Sequence, residues 1–408
     1  MMYAKSTIKK YGSKLNRKLY PFYCWLRLKK NGVTLVGYFN NVVGVAEVGR
    51  FFALNLKEAH IPFAIQSIEL DSHQKLDHVE AAKYKPFIVP RPFFYTNIFF
   101  INADALPDTL KVCWPLVSGR YNIGVFWWEF DDYFHFPNAF SHLREVVVFS
   151  DFIATAVRKT APAHIRVTKL PFPFRINWHI TVQADEFRLR LGLSPTDYVF
   201  FFNFDFLSVL DRKNPQALLT AFQLAFPADT NAKLVLKTIH AEAVPVKYQE
   251  FMDAVEHLGI QERVIVIHDN LSRNEMISLI NAADAYVSLH RSEGLGIGML
   301  EAMALGKPVI GTRFGGNLEF MTDDTSLLVD YKLVPLSEDA LPYKKGWLWA
   351  DPDVQQAAAY MRRLQENPQW GMQLGMRAKN HIENRFSNAS FKEALMLWSR
   401  KTPLKLPS

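Results

Sequence analysis

The segment of this chain that most restricts its fold is residues 288–312, which read SLHRSEGLGIGMLEAMALGKPVIGT. An apolar strand at Ala285–Leu289 leads into a loop with three glycines, a helix is predicted at Met299–Leu305, and another strand begins at Val309. Such a strand–loop–helix–strand unit is the repeating element of a parallel sheet covered by helices. The loop also exposes backbone N–H groups at the positive end of a helix, which favours an anion, usually a phosphate.

Strands and helices alternate in this way along most of the chain. Amphipathic helices such as Ala46–His60 and Pro215–Phe226 fit between short apolar runs that are bounded by turn signals. The alternation predicts parallel sheets with helices on both faces, an α/β fold of the doubly wound type. The predicted strands are Val33–Phe39, Phe63–Ser67, Ile98–Ile101, Tyr121–Trp127, Val146–Ser150, Arg166–Leu170, Tyr198–Phe204, Lys233–Lys237, Val264–His268, Ala285–Leu289, Val309–Thr312 and Leu327–Val329.

The length of the chain predicts two such domains. A chain of 408 residues exceeds what one core ordinarily holds. The pattern is interrupted at the two prolines of residues 171–173 and then restarts. We therefore predict one Rossmann-like domain at 31–172, a second at 173–387 and a C-terminal helix within 388–408. Ligands are expected at the carboxyl ends of the strands, in the cleft between the domains.

The positive charge of the chain is concentrated at its N-terminus. The net charge is +7, yet residues 1–30 carry nine lysines and arginines and no acid, so the remainder has a net charge of −2. Ile8, Tyr11, Leu15 and Leu19 recur at helical spacing, which predicts a basic amphipathic segment suited to an anionic membrane surface. A leader packed on the N-terminal domain is the alternative. No base-reading motif accompanies the charge, so nucleic acid is not a predicted partner.

The composition excludes several classes of protein. Hydrophobic residues make up 49% and charged residues 21% of the chain, which is typical of a globular protein. No apolar run reaches the roughly 18–20 residues of a membrane span, and no signal peptide is visible. Cys24 and Cys113 give neither a disulfide framework nor a zinc-ligand spacing. These features predict a cytoplasmic protein, with peripheral attachment to the inner face of the membrane left open.

Two acids border the glycine loop. Glu293 precedes Gly294, Gly296 and Gly298, and Glu301 is predicted in the first turn of the following helix. Helical side chains tilt toward the N-terminus, so both carboxylates are expected at one mouth. Carboxylates accept hydrogen bonds from hydroxyls while the loop amides favour phosphate, and this pair of preferences predicts a nucleotide-sugar site. An acid that complements the helix dipole is the alternative reading of Glu301.

The segment from Glu293 to Glu301 resembles the E-x7-E signature of retaining glycosyltransferases of the GT-B fold, family 4. Residues 315–319 (GGNLE) resemble the G-G-x-P-E turn of the same family, with Leu318 in place of proline. The resemblance is dense from Val199 to Asp353 and looser before it. It implies two Rossmann-like domains that face each other across a cleft, a final helix that crosses back to the first domain, and transfer with retention of configuration.

Arg212 and Lys213 follow the first strand of the second domain and are predicted to open a helix. Two cations there are unfavourable against the helix dipole, and a diphosphate would relieve that cost. The family resemblance implies an arginine and a lysine in this region. Lys213 matches the lysine, Ser208 stands at the usual arginine position, and Arg212 is the predicted substitute. A solvated pair of cations is the alternative.

Three further candidates follow strand ends. Glu129 comes after an apolar run with Trp127 and Trp128, and it is predicted to face the donor sugar where the resemblance implies a histidine. At least one of the tryptophans is equally compatible with a core position. The resemblance implies that Gly44 lies close to the donor phosphate or the acceptor, with a simple strand-to-helix turn as the alternative. Asn270, after another strand end, is predicted beside the nucleotide base. No acidic pair has metal-ligand spacing, so neither a metal nor another cofactor is predicted.

Together these features predict a retaining, metal-independent glycosyltransferase that moves a sugar from a nucleoside-diphosphate sugar to a glycan or lipid-linked acceptor, in surface polysaccharide biosynthesis. Arg212, Lys213 and the loop amides are expected to hold the leaving phosphate, Glu301 the ribose and Glu293 the sugar hydroxyls. Same-face attack and a double displacement through Glu129 both stay open.

Two alternatives share these features, namely a nucleotide-sugar 2-epimerase and a donor-binding protein without transfer. A dinucleotide dehydrogenase is disfavoured for two reasons. The glycines are spaced G-x-G-x-G, and the next strand ends in Thr312-Arg313 rather than in an acid.

Overall fold

The computed structural model describes residues 28–41, 43–70, 75–76, 78–89, 93–131, 136–176, 180–228 and 231–403. The predicted basic segment 1–30 lies outside the described residues except for its last three positions. No helix in the described part of the chain is long and apolar enough to cross a membrane.

The N-terminal half forms one parallel six-stranded sheet. Its strands are rich in Val, Ile and Phe and are mostly buried, as expected when helices cover both faces. The strands are β1 (Lys29–Gly37), β2 (Phe63–Ser67), β3 (Phe94–Phe100), β4 (Tyr121–Val125), β5 (Glu145–Val148) and β6 (Arg166–Lys169). Their order across the sheet is β2-β1-β3-β4-β5-β6. The helices are α1 (Gly44–Glu58), α2 (His78–Ala82), α3 (Leu106–Val112), α4 (Trp114–Val117) and α5 (Asp151–Thr160).

The C-terminal half forms a second parallel six-stranded sheet, of order β12-β11-β10-β7-β8-β9 once its strands are numbered along the chain. They are β7 (Tyr198–Asp205), β8 (Ala232–Ile239), β9 (Val264–Ile267), β10 (Ala285–Ser288), β11 (Val309–Thr312) and β12 (Leu327–Val329). The helices are α6 (Ala184–Arg190), α7 (Leu210–Lys213), α8 (Pro215–Ala225), α9 (Pro245–His257), α10 (Arg273–Ala282), α11 (Ile297–Ala304), α12 (Val354–Glu366), α13 (Pro368–Arg385) and α14 (Asn388–Ser399).

An antiparallel hairpin follows the second sheet and was not anticipated from the sequence. Its strands are β13 (Tyr331–Pro335) and β14 (Leu348–Pro352). The loop between them buries Tyr343, and Trp349 is buried within β14. The hairpin therefore has an apolar face that is packed against the rest of the protein.

The last helix contacts the N-terminal half. Phe391 of α14 packs edge-on against Phe52 of α1, with ring centroids 5.5 Å apart. The indole nitrogen of Trp398 donates a hydrogen bond of 2.7 Å to the carboxylate of Glu145, which begins β5. A polar side chain as buried as Glu145 requires partners of this kind.

The segment between the two sheets is packed rather than extended through solvent. Phe172 and Phe174 are buried, and both rings contact Phe51 of α1. The carbonyl oxygen of Pro173 accepts a hydrogen bond of 3.0 Å from the side-chain amide of Asn55.

The glycine-loop helix differs from the sequence prediction. It spans Ile297–Ala304 rather than Met299–Leu305, because Gly296 adopts a left-handed conformation (φ 84°) and supplies the N-cap. Glu301 therefore lies in the second turn and not in the first. An acid at that depth gains little from the helix dipole.

Candidate active site

The glycine loop and the end of β4 enclose a cavity of about 230 Å³ between the two sheets. Trp127 and Glu129 contribute from the N-terminal half, directly after β4. The C-terminal half contributes the carboxyl ends of β7 and β10 and the glycine loop. Its lining residues include Asn203, Lys213, Tyr286, Ser288, Glu293 and residues 294–299. The cavity thus lies where parallel α/β sheets usually bind ligands.

Two glycines of the loop are required by close packing. A Cβ atom on Gly294 would lie 2.6 Å from the carbonyl oxygen of Trp128, and the carbonyl of Gly294 accepts a hydrogen bond of 2.8 Å from the Ser150 hydroxyl. A Cβ atom on Gly298 would clash with the hydroxyl of Tyr286. The loop is therefore pressed against the N-terminal domain at one glycine and against β10 at the other.

The turn at residues 315–319 supports the loop from behind. The backbone N–H of Gly316 donates to the carbonyl of Glu293 at 2.7 Å, and a side chain on Gly316 would clash with the carbonyl of Gly294. The Asn317 side-chain amide donates to the carbonyl of Thr312 at 2.9 Å. The two sequence motifs therefore form one rigid unit.

Glu293 is held by both predicted cations. Its carboxylate forms an ion pair with Lys213 and lies 3.3 Å from a guanidinium nitrogen of Arg212. Burial opposes ionisation of Glu293, but the charges of Lys213 and Arg212 outweigh it and lower its pKa to about 2. Glu293 is therefore a carboxylate at every physiological pH.

The position of the two cations corrects one sequence prediction. Arg212 and Lys213 do not open a helix but end the short α7, and Asn214 caps the next helix, α8. The Arg212 guanidinium donates to the carbonyl of Ser292 at 2.9 Å, and Asn214 donates to the carbonyl of Leu289 at 2.9 Å. Both bonds tie this turn to the strand that enters the glycine loop.

Glu129 is tied to the C-terminal half through two contacts. The Tyr343 hydroxyl donates to its carboxylate at 2.9 Å, and the Ser292 hydroxyl donates to its carbonyl oxygen. Burial raises the pKa of Tyr343, as does the nearby charge of Glu129, so the phenol stays a neutral donor. Trp128 is buried against Tyr343 and Trp347, with ring centroids 5.7 Å and 6.1 Å away. Trp127 instead lines the cavity.

Glu301 does not line the cavity and is buried beside it. Its carboxylate forms an ion pair of 2.6 Å with Arg273, the first residue of α10. A second carboxylate, that of Glu47 in α1, lies 3.7 Å from the same guanidinium. Burial raises the pKa of Glu301, and Arg273 only partly offsets this. Arg273 thus links Glu301, which was predicted to bind the ribose, to the N-terminal domain.

The other two predicted donor-binding residues, Gly44 and Asn270, also lie outside the cavity. Gly44 is the exposed first residue of α1, and Asn270 is exposed in the loop after β9. Each lies three positions before a member of the Glu47–Arg273 ion pair. The structure therefore brings these two loops toward each other beside Glu301, outside the cavity that Glu293 lines.

Reasoning from the sequence missed Tyr343, Arg273 and the Tyr286–Asn203 pair. The Tyr286 hydroxyl donates to the Asn203 side-chain oxygen at 2.8 Å at the wall of the cavity. Nothing local marks these residues, because each acquires its meaning from a partner far away in the sequence. Within the described part of the chain no three His, Cys, Asp or Glu side chains are grouped so that they could hold a metal ion.

Comparison with known proteins shows a family similarity in the second half of the chain. The model of the family described as glycosyl transferases group 1 matches residues 204–381. This part of the chain, which is less than half of its length, is similar to group 1 glycosyltransferases. It contains Arg212, Lys213, the glycine loop and both acids of the E-x7-E signature, so the resemblance seen in the sequence is confirmed.

Among curated proteins, D-inositol 3-phosphate glycosyltransferase from Corynebacterium glutamicum is 25% identical to this chain over 168 residues. The match covers 36% of this chain and 40% of that relative. It thus extends over less than half of the relative's length.

Among solved structures, HepE from Anabaena in complex with UDP and glucose aligns with a TM-score of 0.64 at 16% identity, over 91% of this chain and 99% of its own. Sucrose-phosphate synthase from Thermosynechococcus elongatus aligns with a TM-score of 0.62 at 15% identity, over 91% of this chain and 98% of its own. At such low identity these alignments establish the fold. The predicted GT-B architecture of two Rossmann-like sheets is confirmed.

Proposed function

We propose that this protein is a retaining glycosyltransferase that takes a sugar from a nucleoside-diphosphate sugar without a metal ion. The observation that carries the proposal is the contact of Glu293 with Arg212 and Lys213 at the mouth of the glycine loop. Lys213 and Glu293 line one cavity, and the buried Arg212 contacts Glu293 beside it. Such a carboxylate suits the sugar, and such cations suit the phosphate that leaves it.

The cations would stabilise the leaving group. Negative charge grows on the β-phosphate as the glycosidic bond breaks. Arg212 is already held by the carbonyl of Ser292, and both Arg212 and Lys213 are held by Glu293. Preorganised charges stabilise a transition state without reorganising during the reaction. The same cations would take over the neutralising role of a divalent metal.

The acids would orient the sugar. Glu293 can accept hydrogen bonds from sugar hydroxyls while it remains ionised, since its pKa is about 2. Glu129 faces the same cavity from the opposite domain, held by Tyr343. We favour attack of the acceptor on the face that the diphosphate leaves, with the phosphate accepting the acceptor's proton. A covalent intermediate on Glu129 is the competing route.

The nucleoside would occupy the neighbouring region around Glu301. The cavity of about 230 Å³ is smaller than the roughly 300–1,000 Å³ of usual ligand sites, so it holds the sugar and phosphates at most. A ribose hydroxyl at Glu301 would share or displace Arg273. Glu301→Ala is expected to weaken nucleotide-sugar binding while the fold stays intact.

The acceptor would be a glycan or a lipid-linked glycan of a surface polysaccharide. The basic segment 1–30 supports work at an anionic membrane surface, at about 1 kcal/mol per basic residue near the lipid. Removal of residues 1–30 is expected to lower recovery of the protein with anionic vesicles. Unchanged recovery would indicate that this segment packs on the N-terminal domain instead.

The test begins with thermal shift against UDP, GDP, ADP, dTDP and CMP, with and without magnesium. A ligand at 100 times its Kd adds about 2.7 kcal/mol of stability. The nucleotide that stabilises the protein identifies the base of the donor. The protein is then incubated with sugar donors of that nucleotide and with candidate acceptors. Transfer to an acceptor supports the proposal, epimerised donor without transfer would replace it, and binding without turnover would indicate a donor-binding protein.

A further inference from the structure

A second cavity lies at the opposite edge of the N-terminal sheet. At about 490 Å³ it is larger than the cavity at the glycine loop. It is built where β3, β4, β5 and β6 begin, whereas Glu129 follows the carboxyl end of β4. The five residues of β4, at about 3.3 Å each, separate the two edges by about 15 Å. The chemistry proposed above makes no use of this site.

The described lining of this cavity is basic. Arg120, Arg144, His142 and His164 contribute to it, and none of the lining residues is acidic. The nearest acid in the sequence, Glu145, is fully buried; it pairs with Arg166 and accepts hydrogen bonds from Trp398, Thr168 and the lining residue Tyr121. Two arginines line the cavity, and the neighbouring carboxylate of Glu145 is buried and already paired. The cavity therefore has a positive potential, and its ligand should carry negative charge.

The same cavity has aromatic walls. Trp114 is 41% exposed, and its ring lies in a T-shaped arrangement with the ring of His142, with centroids 4.9 Å apart. Tyr95 and Tyr121 line the cavity at the starts of two adjacent strands. Exposed tryptophan faces beside polar groups suit ligands with an apolar face and polar edges, as sugar rings have.

A buried pair of asparagines fixes the cavity walls. Asn97 donates to the carbonyl of Leu116 at 2.8 Å and to the side chain of Asn122 at 2.8 Å. Asn122 donates in turn to the carbonyls of Val117 at 2.9 Å and His142 at 3.0 Å. The second bond holds His142 in a left-handed conformation (φ 65°), which is uncommon outside glycine. Two buried side chains in the sheet thus preorganise both loops that border the cavity.

The spacing of the cations distinguishes the ligand from a nucleotide. Arg120 precedes β4 and Arg144 precedes β5, so their charges project from separate loops. Arg120 is held by a hydrogen bond of 2.7 Å to the carbonyl of Phe94. No glycine-rich turn gathers amides here as at residues 294–298. Charges distributed around an aromatic wall suit carboxylates or sulfates carried on successive sugars.

We propose that this cavity binds an anionic saccharide, a short stretch of sugars that bear carboxylate or sulfate groups. This proposal rests on the proposed function and specifies the class of acceptor. The cavity would bind a part of the acceptor that is remote from the end to which the sugar is transferred. Binding at the cavity needs no transfer, so it is measurable even if the transferase proposal fails.

The experiment is calorimetric titration of the full chain with trigalacturonic acid and with a sulfated disaccharide, against maltotriose as a neutral probe of similar size. Arg144→Ala and Trp114→Ala each remove one wall group that is exposed to solvent. Arg158→Ala is the matched control, because Arg158 is an exposed arginine of the same domain outside the cavity. Inorganic phosphate and UDP are titrated in parallel.

At least one anionic probe is expected to bind the wild type, and Arg144→Ala should weaken it about tenfold, as loss of a charge-assisted hydrogen bond does. Trp114→Ala should weaken it similarly, and Arg158→Ala should leave it unchanged. If Arg158→Ala weakened binding as much as Arg144→Ala does, the effect would come from the net charge of the protein, and the proposed site would be overturned. Equal binding of maltotriose, binding of phosphate or UDP in place of the saccharides, or no binding of either anionic probe would overturn the ligand class.

Discussion

At the scale of single residues, the Glu293–Lys213–Arg212 cluster is the most informative part of the molecule. We expect Glu293→Gln to lower kcat by about 10²–10³, the usual cost of removing one preorganised polar group from an active site. The substitution also leaves Arg212 buried beside a weaker partner, which should cost about 3 kcal/mol of unfolding free energy. Turnover and urea denaturation measure the two effects. Asp323→Asn, which breaks an exposed ion pair with Arg313, should leave both nearly unchanged.

The pKa of Glu293 predicts how this stabilisation depends on pH. The pKa is depressed from 4.5 to about 2 in the folded protein, so the folded state favours the carboxylate. Stability from this group is therefore fully present above pH about 4.5 and is lost as the pH falls toward 2. The difference in unfolding free energy between wild type and Glu293→Gln should be constant from pH 6 to 8 and smaller at pH 3. A difference that is the same at pH 3 and pH 7 would contradict the assigned cause.

The role of a residue could be predicted from the sequence where the residues that act with it are close to it along the chain. Glu293 and the three glycines of its loop lie within six positions, so their spacing alone indicated a phosphate-binding loop. Glu301 was placed one turn too early because the left-handed Gly296, which starts the helix, was not foreseen. Arg273 carried no signal at all, because its two carboxylate partners come from different domains.

At the scale of elements, the β13–β14 hairpin links the two sides of the cleft. Arg291, just before the glycine loop, packs its guanidinium 5.1 Å from the Trp349 ring and accepts the N–H of Ala350 at its carbonyl. The loop beyond carries Tyr343 to Glu129. The hairpin therefore couples the glycine loop to the acid of the opposite domain.

We expect Tyr343→Phe to lower kcat about tenfold with little change in donor KM, because it removes the hydrogen bond that orients Glu129 and keeps the ring packing. Tyr331→Phe, on the same hairpin but partly exposed, is the matched control and should have no effect. Steady-state kinetics at several pH values measure both. If Tyr343→Phe raised donor KM and left kcat unchanged, Tyr343 would act on binding instead.

The hairpin was missed because its sequence has neither helical nor strict strand periodicity. Tyr331 and Leu333 share one face and are partly exposed, while Trp349 is buried on the other face. Trp347, just before β14, packs against Trp128 and Phe130, which belong to the other domain. By contrast, all twelve strands of the two sheets were located, since strands of a parallel sheet bury both faces and read as apolar runs.

At the scale of the whole molecule, contacts at several separate places join the two sheets. Ser150 bonds to Gly294 at the cleft, and the backbone N–H of Asp151 donates to Glu319 at 2.6 Å. Trp398 of α14 reaches Glu145 on the far side of the N-terminal sheet. Such separated ties favour unfolding of both sheets as one cooperative unit.

Among these contacts, loss of the Trp398–Glu145 hydrogen bond should have the largest effect on how the two sheets unfold. The indole N–H of Trp398 bonds to Glu145, a carboxylate that also accepts from Thr168 at 2.6 Å and from Tyr121 at 3.1 Å. Trp398→Phe keeps most of the apolar contact but leaves one fewer donor for a buried charge, which should cost about 1–3 kcal/mol. Because the lost bond joins the domains, the N-terminal sheet should then unfold separately and earlier.

Differential scanning calorimetry distinguishes this from a general loss of stability. The wild type should give one transition and Trp398→Phe two, with addition of a nucleotide shifting mainly the later one, since the C-terminal half carries the glycine loop. Trp370→Phe is the matched control, because Trp370 packs against Arg363 within the C-terminal half. It should lower the single transition without splitting it. A single, merely lowered transition in Trp398→Phe would mean that the other contacts between the sheets suffice to keep them one unit.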